Sequence, residues 1–114
     1  MIIAIDFDGT IVSHEFPKIG RLRDFAKYTI NKLYESGHTI IIWTCRNKKE
    51  TSKEYQDMID FLLTNGIKFH YINQNDPKNK FLPEPKIYAD CYIDDKNFGG
   101  FPGWACIHNH FFGE

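Results

Sequence analysis

The chain begins with a continuous apolar run, and this run limits the fold more than any other feature of the sequence. Residues Met1 to Ile5 read Met-Ile-Ile-Ala-Ile, with no polar residue among them. A strand with one solvated face alternates apolar and polar residues, whereas a strand covered on both faces reads as a continuous apolar run. The run therefore predicts a central strand of a parallel sheet that has helices on both sides.

Helix-like and strand-like patterns alternate along the rest of the chain. Two helices are predicted, one from Arg21 to Gly37 and one that starts with the capping-box spacing Thr51-Ser-Lys-Glu54 and ends at Gly66. Four further strands are predicted at residues 38–44, 67–72, 91–94 and 104–107. Such alternation predicts a three-layer α/β fold with a Rossmann-like parallel sheet, for which we expect the strand order 5-4-1-2-3.

Length and composition narrow the class of protein. With 114 residues, 42% of them hydrophobic and 25% charged, we expect one globular domain spanning residues 1–114. A net charge of −1 gives no reason to expect a nucleic-acid-binding surface. We also expect no membrane span and no secretory signal, because no long apolar run and no basic leader are present. Cys45, Cys91 and Cys106 lack metal-type spacing, which favours a reduced, cytoplasmic protein.

Acidic residues follow two of the predicted strands. Asp6 and Asp8 come after the first strand, Thr44 ends the second, and Asp94 and Asp95 close the fourth. In open α/β sheets ligands bind beyond the carboxyl ends of the strands, so we expect these side chains at one edge of the sheet. Four carboxylates in one place repel each other unless a cation lies between them. Mg²⁺ fits, because it favours a few carboxylates, waters and a substrate phosphate.

The same residue types suit phosphoryl transfer. A carboxylate can attack phosphorus in line, a metal can neutralise the phosphoryl oxygens, and hydroxyl and ammonium groups can hold them. Thr44 supplies the hydroxyl group in this interpretation, and a lysine has to supply the ammonium group.

Three motifs together resemble one known family. They are Asp6-Phe-Asp-Gly-Thr10 after an apolar strand, Thr44 at the end of the next strand, and Ile93-Asp-Asp95 late in the chain. This combination resembles the haloacid dehalogenase superfamily, whose usual members are Mg²⁺-dependent phosphatases. The resemblance spans almost the whole chain.

The resemblance implies a role for each motif residue. Asp6 would be the nucleophile that forms an aspartyl-phosphate, Asp8 would be the general acid and base, and Thr44 would bind the phosphoryl oxygens. Asp94 and Asp95 would hold Mg²⁺ together with Asp6 and the backbone carbonyl of Asp8. Whether Asp95 is a direct ligand or an acid behind the ligands stays open.

Four residues within or next to these motifs are candidates for contacts with substrate. Gly9 and Thr10 follow the opening acids, while Cys45 and Arg46 continue the loop that starts at Thr44. The binding partner that we expect for these residues is a phosphorylated substrate.

The active-site lysine departs from the family's usual spacing. Lys86 precedes Asp94 by only eight residues, and a straight strand of that length would place Lys86 ~26 Å away at ~3.3 Å per residue. A helical turn over residues 86–90 would bring the chain back toward the site. We therefore predict Lys86 together with such a turn, and Lys80 and Lys78 are the alternatives.

No cap domain is expected, because residues 11–20 and 73–85 are too short for the insertions that most relatives carry there. An open site would admit a nucleic-acid end or a phosphoprotein, or a small molecule covered by a second subunit of a homo-oligomer. Two other interpretations remain: a catalytically silent binding module, and a receiver-type phosphoacceptor domain. Asn73 argues against the receiver, whose phosphorylated aspartate follows the third strand.

Overall fold

Four parallel strands form one sheet in the computed structural model, which describes residues 1–46, 52–78 and 86–113. In chain order, the elements of these residues are β1 (Ile2–Asp6), α1 (Ala26–Glu35), β2 (Thr39–Trp43), α2 (Lys53–Thr64), β3 (Tyr71–Ile72), β4 (Cys91–Ile93) and α3 (Trp104–Phe112). The strands lie in the order β3-β2-β1-β4, as expected for the first four predicted strands. The sheet and its flanking helices confirm the predicted α/β, Rossmann-like class.

The two interior strands are covered on both faces. Residues 3–5 of β1 and 40–42 of β2 are buried, as the continuous apolar run of β1 predicts. Each helix adds a buried pair at helical spacing, namely Ile30 and Leu33 in α1, Met58 and Leu62 in α2, and Trp104 and Ile107 in α3. Burying a side chain of this size contributes ~1.5–3 kcal/mol, so this interior fixes the positions of the strand ends.

The first predicted helix is shorter than expected at its start. It begins at Ala26 rather than Arg21, because Leu22 forms an antiparallel bridge with Val12 and Phe25 has a left-handed backbone with φ of 66°. Its end agrees with the prediction. Gly37, with φ of 96°, follows the helix and donates its N–H to the carbonyl of Tyr34 at 3.2 Å.

The second predicted helix starts one residue later than its capping-box pattern. Ser52 is the N-cap, and its hydroxyl accepts a hydrogen bond from the N–H of Tyr55 at 3.3 Å. Thr51 lies outside the described residues. The helix ends at Thr64, shortly before Gly66, whose positive φ of 67° fits the predicted ending.

The predicted fifth strand at residues 104–107 is wrong, because this segment belongs to helix α3. A short apolar run cannot be assigned by periodicity alone, and here Trp104 and Ile107 are buried at helical spacing. The indole Nε1–H of Trp104 donates to the carbonyl of Thr10 at 2.7 Å. Helix α3 is thereby joined to the loop that follows β1.

The connections at the site edge carry no folded insertion within the described residues. Between β1 and α1, residues 7–25 form turns and isolated bridges only. The predicted loop at residues 73–85 is described only as far as Lys78, and that part contains no helix or strand. In the described parts of the chain, no helix is long and apolar enough to cross a membrane.

Candidate active site

The carboxyl ends of the strands meet around one cavity of about 640 Å³. Asp6 ends β1, Thr44 follows β2, Asn73 follows β3, and Asp94 and Asp95 follow β4. All five residues line this cavity. The structure therefore brings together the strand-end residues that the sequence pattern singles out, since parallel strands present their carboxyl ends at one edge of a sheet.

Three of the predicted metal ligands form a tight acidic cluster. Carboxylate oxygens of Asp6, Asp94 and Asp95 lie within 4.8 Å of one another. Burial, followed by the charge of Asp94, raises the pKa of Asp6 to about 8, although a hydrogen bond from Thr10 opposes this shift. Oxygen donors at this spacing are what a hard divalent cation such as Mg²⁺ requires, and a cation there would offset the repulsion.

The residues after the opening acids support Asp6 rather than face the cavity. Thr10 is fully buried, and its hydroxyl donates to Asp6 Oδ2 at 3.0 Å. The N–H of Gly9 donates to the carbonyl of Val12 at 2.8 Å, so it is engaged within the loop. Neither residue lines the cavity. Their predicted contact with substrate gains no support from this geometry, which assigns them to the positioning of Asp6 and Asp95.

Gly9 lies directly against Asp95, and this contact leads to a stability prediction. A Cβ atom at Gly9 would overlap the Asp95 carboxylate, with Cγ only 2.7 Å away, and the backbone φ is +88°. Gly99 has a similar φ of +92° but open space around it. Gly99→Ala should therefore cost only left-handed strain, ~1–2 kcal/mol. Gly9→Ala should lower the free energy of unfolding by at least twice that amount, measured by urea denaturation; equal losses would contradict the predicted overlap.

Asn73 holds Thr44 in place through two hydrogen bonds. The N–H of Thr44 donates to Asn73 Oδ1 at 2.8 Å, and Asn73 Nδ2 donates back to the Thr44 carbonyl at 2.6 Å. Asn73 itself has a left-handed φ of 49°, a conformation that asparagine tolerates better than most residues. The sequence places Asn73 at the end of a strand but does not reveal this contact.

Asp8 lines the cavity and forms an ion pair with Arg46, whose side chain is buried. Arg46 Nε lies 2.7 Å from Asp8 Oδ2, and Arg46 Nη2 lies 2.7 Å from Asp8 Oδ1. The Asp8 carboxylate is thus not part of the acidic cluster, in agreement with the resemblance, which implicates only its backbone carbonyl in metal binding. Arg46 is buried and does not line the cavity, so its predicted contact with substrate finds no support here.

The cavity wall contains residues that the motifs do not indicate. His14 and Phe16 reach it from the loop after β1, Trp43 from the end of β2, and Lys96 from the segment after β4. Trp43 is the last residue of a strand, so its strand-end position is the one sequence signal among these. Cys45, a predicted contact, is exposed and does line the cavity.

The predicted lysine, Lys86, is exposed and does not line the cavity. The helical turn expected at residues 86–90 is wrong, but a long strand is not formed either: the chain bends at Lys86 and at Asp90. Ile87 lines the cavity, so the chain does return to the site at this point. Lys78 is exposed and outside the cavity lining, and Lys80 lies outside the described residues.

Comparison with known proteins agrees with this geometry. A family model described as haloacid dehalogenase-like hydrolase matches residues 3–93. The chain is also similar to the solved structure of a conserved protein from Bacteroides thetaiotaomicron, with 35% identity, a TM-score of 0.85, and coverage of 97% of this chain and 88% of that one. No curated protein sequence matches the chain. The family match covers most of the chain and favours a hydrolase over the receiver-type alternative. The chain belongs to the haloacid dehalogenase-like hydrolases.

Proposed function

We propose that this hydrolase is a Mg²⁺-dependent phosphatase that cleaves phosphate monoesters through an aspartyl-phosphate on Asp6. The observation that carries the proposal is the position of Asp6, which lies in the cavity beside Asp94 and Asp95 and shares its lining with Thr44. A nucleophile, a hydroxyl donor and an anionic metal site therefore share one open cavity, which is the set of groups that phosphoryl transfer requires.

Asp6, Asp94 and Asp95 fit a divalent cation by donor type and spacing. With the backbone carbonyl of Asp8, they are the residues that would hold it. When bound, Mg²⁺ would supply positive charge that offsets the anionic phosphoryl group.

The chain's own residues account for both halves of the reaction. In the first half, a carboxylate oxygen of Asp6 bonds to phosphorus, the bond from phosphorus to the ester oxygen breaks, and protonated Asp8 gives its proton to that oxygen. In the second half, a water molecule bonds to phosphorus and passes a proton to Asp8, while the bond between phosphorus and Asp6 breaks. Inorganic phosphate leaves, and both carboxyl groups return to their starting states.

The cavity also bears on the substrate and the setting. It is open, and its lining includes the apolar side chains of Phe16, Trp43 and Ile87, so a phosphorylated small molecule, a nucleic-acid end and a phosphoprotein are all candidates. A second copy of the chain in a homo-oligomer would cover the cavity around a small substrate. All three cysteines are unpaired, which supports the proposed cytoplasmic location.

Release of inorganic phosphate tests the proposal directly. We expect the protein to hydrolyse p-nitrophenyl phosphate in the presence of Mg²⁺, and a panel of phosphorylated metabolites and 3′-phosphorylated oligonucleotides should then identify the preferred class. Binding of phosphorylated compounds without any hydrolysis would instead favour the silent binding module.

Lys86 is proposed to supply the ammonium group, and lysine substitutions test this. Lys86 is exposed and precedes Ile87, which lines the cavity, whereas Lys96 lines the cavity itself, is 80% exposed and has its Nζ 4.0 Å from Asp95 Oδ2. Loss of a donor that stabilises transition-state charge costs ~3–4 kcal/mol. Lys86→Ala should therefore lower kcat/KM by at least ~10²-fold, because ~1.4 kcal/mol is tenfold.

The matched substitutions are Lys96→Ala and Lys78→Ala, each of which should change kcat/KM less than tenfold, since exposed ion pairs contribute little. A large loss in Lys96→Ala with a small loss in Lys86→Ala would assign the role to Lys96.

A further inference from the structure

Arg46 is fully enclosed by polar acceptors of the chain. Beyond its two contacts with Asp8, Nη1 donates to the carbonyls of Pro17 at 3.3 Å and Glu54 at 3.1 Å, and Nη2 donates to the carbonyl of Lys18 at 3.0 Å. A guanidinium group has five N–H donors, and all five have partners within the protein. No donor remains for a substrate.

The plane of the guanidinium group is fixed as well. Its central carbon lies 5.4 Å from the ring centre of Phe7 and 4.9 Å from that of Phe16. The side chain of Arg46 has no exposed surface, and that of Asp8 is 14% exposed. A bidentate pair between Arg and a carboxylate fixes direction as well as distance, so the Asp8 carboxyl group has one defined orientation.

Arg46 connects the separate parts of the site. Pro17 and Lys18 belong to the loop after β1, whose His14 and Phe16 line the cavity, and Glu54 lies in the first turn of α2. The backbone N–H of Arg46 also donates to Thr44 Oγ1 at 3.1 Å. One residue thus contacts the proposed acid and base, the proposed phosphoryl-binding hydroxyl and the cavity wall.

We propose that Arg46 is a positioning residue that orients the Asp8 carboxyl group for proton transfer and holds the cavity-wall loop in place. This inference rests on the proposed function. Proton transfer requires a donor and acceptor within ~2.6–3.2 Å in the correct direction, and a carboxyl group that rotates freely meets that condition only part of the time. Lysine cannot replace Arg46, because its single ammonium group lacks the planar fork.

The test uses two esters with the same ring. Phenyl phosphate releases a basic oxygen that needs a proton as it leaves, whereas p-nitrophenyl phosphate releases a weakly basic one that needs little help. The value of kcat/KM includes the step in which the alcohol leaves. Arg46→Lys should therefore lower kcat/KM ~10²-fold for phenyl phosphate, which lies within the 10²–10⁴-fold range of general acid catalysis. For p-nitrophenyl phosphate the loss should be less than tenfold. Equal losses on both esters would overturn the inference.

A double-mutant cycle separates action through Asp8 from a general structural effect. Asp8→Asn alone should show the same dependence on the leaving group. Adding Arg46→Lys to Asp8→Asn should lower kcat/KM for phenyl phosphate little further, because residues that act as a unit are not additive. Losses that multiply would overturn the proposal. Arg21→Lys, the same exchange at an exposed arginine, is the matched control and should leave both esters unaffected.

A measurement on the unmodified side chain covers the case in which Arg46→Lys does not fold. In nitrogen-15 NMR spectra, the Nε–H of Arg46 should exchange slowly with water, and Asp8→Asn should accelerate that exchange. Arg23, whose Nε–H donates to the carbonyl of Gly9 at 3.1 Å, provides a signal that should change less. Fast exchange at Arg46 in the wild-type protein would overturn the proposal. An inactive wild-type protein would refute the proposed function, whereas an active one with equal losses would refute the role of Arg46 alone.

Discussion

Asp6→Asn should abolish turnover and leave no aspartyl-phosphate, although the protein should remain folded. Asparagine has nearly the same shape as aspartate but is far less nucleophilic, and loss of a nucleophile commonly costs more than ~10⁴-fold. The hydroxyl of Thr10 can still donate to the side-chain oxygen at this position, as it does to Asp6 at 3.0 Å. Phosphate release and mass spectrometry of rapidly quenched protein measure the two losses.

The pKa of Asp6 predicts that this inactive variant is more stable than the wild type in the absence of divalent cations. Burial and the charge of Asp94 raise the pKa of Asp6 from 3.8 to about 8 in the folded protein. Between these two values the unfolded chain binds fewer protons than the folded one. The contribution of Asp6 to the free energy of unfolding is therefore complete below pH ~4 and is lost as the pH rises to ~8.

Asparagine does not ionise, so the cation-free variant should melt at a higher temperature than the wild type at pH 8. The difference should shrink as the pH falls toward 4. The control is Asp60→Asn, the same exchange at an exposed position of α2, which should change neither turnover nor melting temperature appreciably.

Retention of even a few per cent of activity in Asp6→Asn would show that another group attacks phosphorus.

The sequence predicts the positions of Asp6, Thr44 and Asp94 well, because these depend on where parallel strands end. The continuous apolar run identifies β1 as a central strand, and a central strand fixes the edge at which its final residue lies. Strand ends are set by backbone topology, and the topology follows from the alternation of strands and helices.

The surroundings of these residues depend on loops, for which periodicity gives no information. The contact between Arg46 and the Pro17 carbonyl exists because the loop after β1 approaches the residues that follow β2, and no local pattern encodes that path. The error at α3 has a related cause. Its four apolar residues suit either a strand or a helix, and packing of Trp104 against the distant Thr10 accompanies the helical form.

Removal of divalent cations should lower turnover by at least ~10³-fold, and added Mg²⁺ should restore it. Asp6, Asp94 and Asp95 hold their oxygens within 4.8 Å, and the nearby Lys96 is largely exposed. Arg46 cannot compensate for these charges, since it is paired with Asp8. Each like charge at ~4 Å costs ~4 kcal/mol at a protein surface, so the acidic cluster repels an incoming phosphate dianion. Without a cation, the raised pKa of Asp6 also keeps part of its carboxyl group protonated and therefore less nucleophilic. Full turnover in excess chelator would contradict the mechanism.

Thermal melting gives a second measurement of the same site that does not depend on activity. A ligand that binds only the folded state at 100 times its Kd stabilises that state by ~2.7 kcal/mol, so Mg²⁺ should raise the melting temperature at pH 8. Asp94→Asn should abolish most of that increase, and Asp60→Asn should retain it. Asp95→Asn decides whether this acid is a direct ligand. If it is, Asp95→Asn should abolish the Mg²⁺-dependent increase in melting temperature, as Asp94→Asn does. If Asp95 lies behind the ligands, the variant should retain most of that increase. Because Asp95 lies against Gly9, near the start of the loop after β1, we expect Asp95 to be held rigidly and to behave as a ligand.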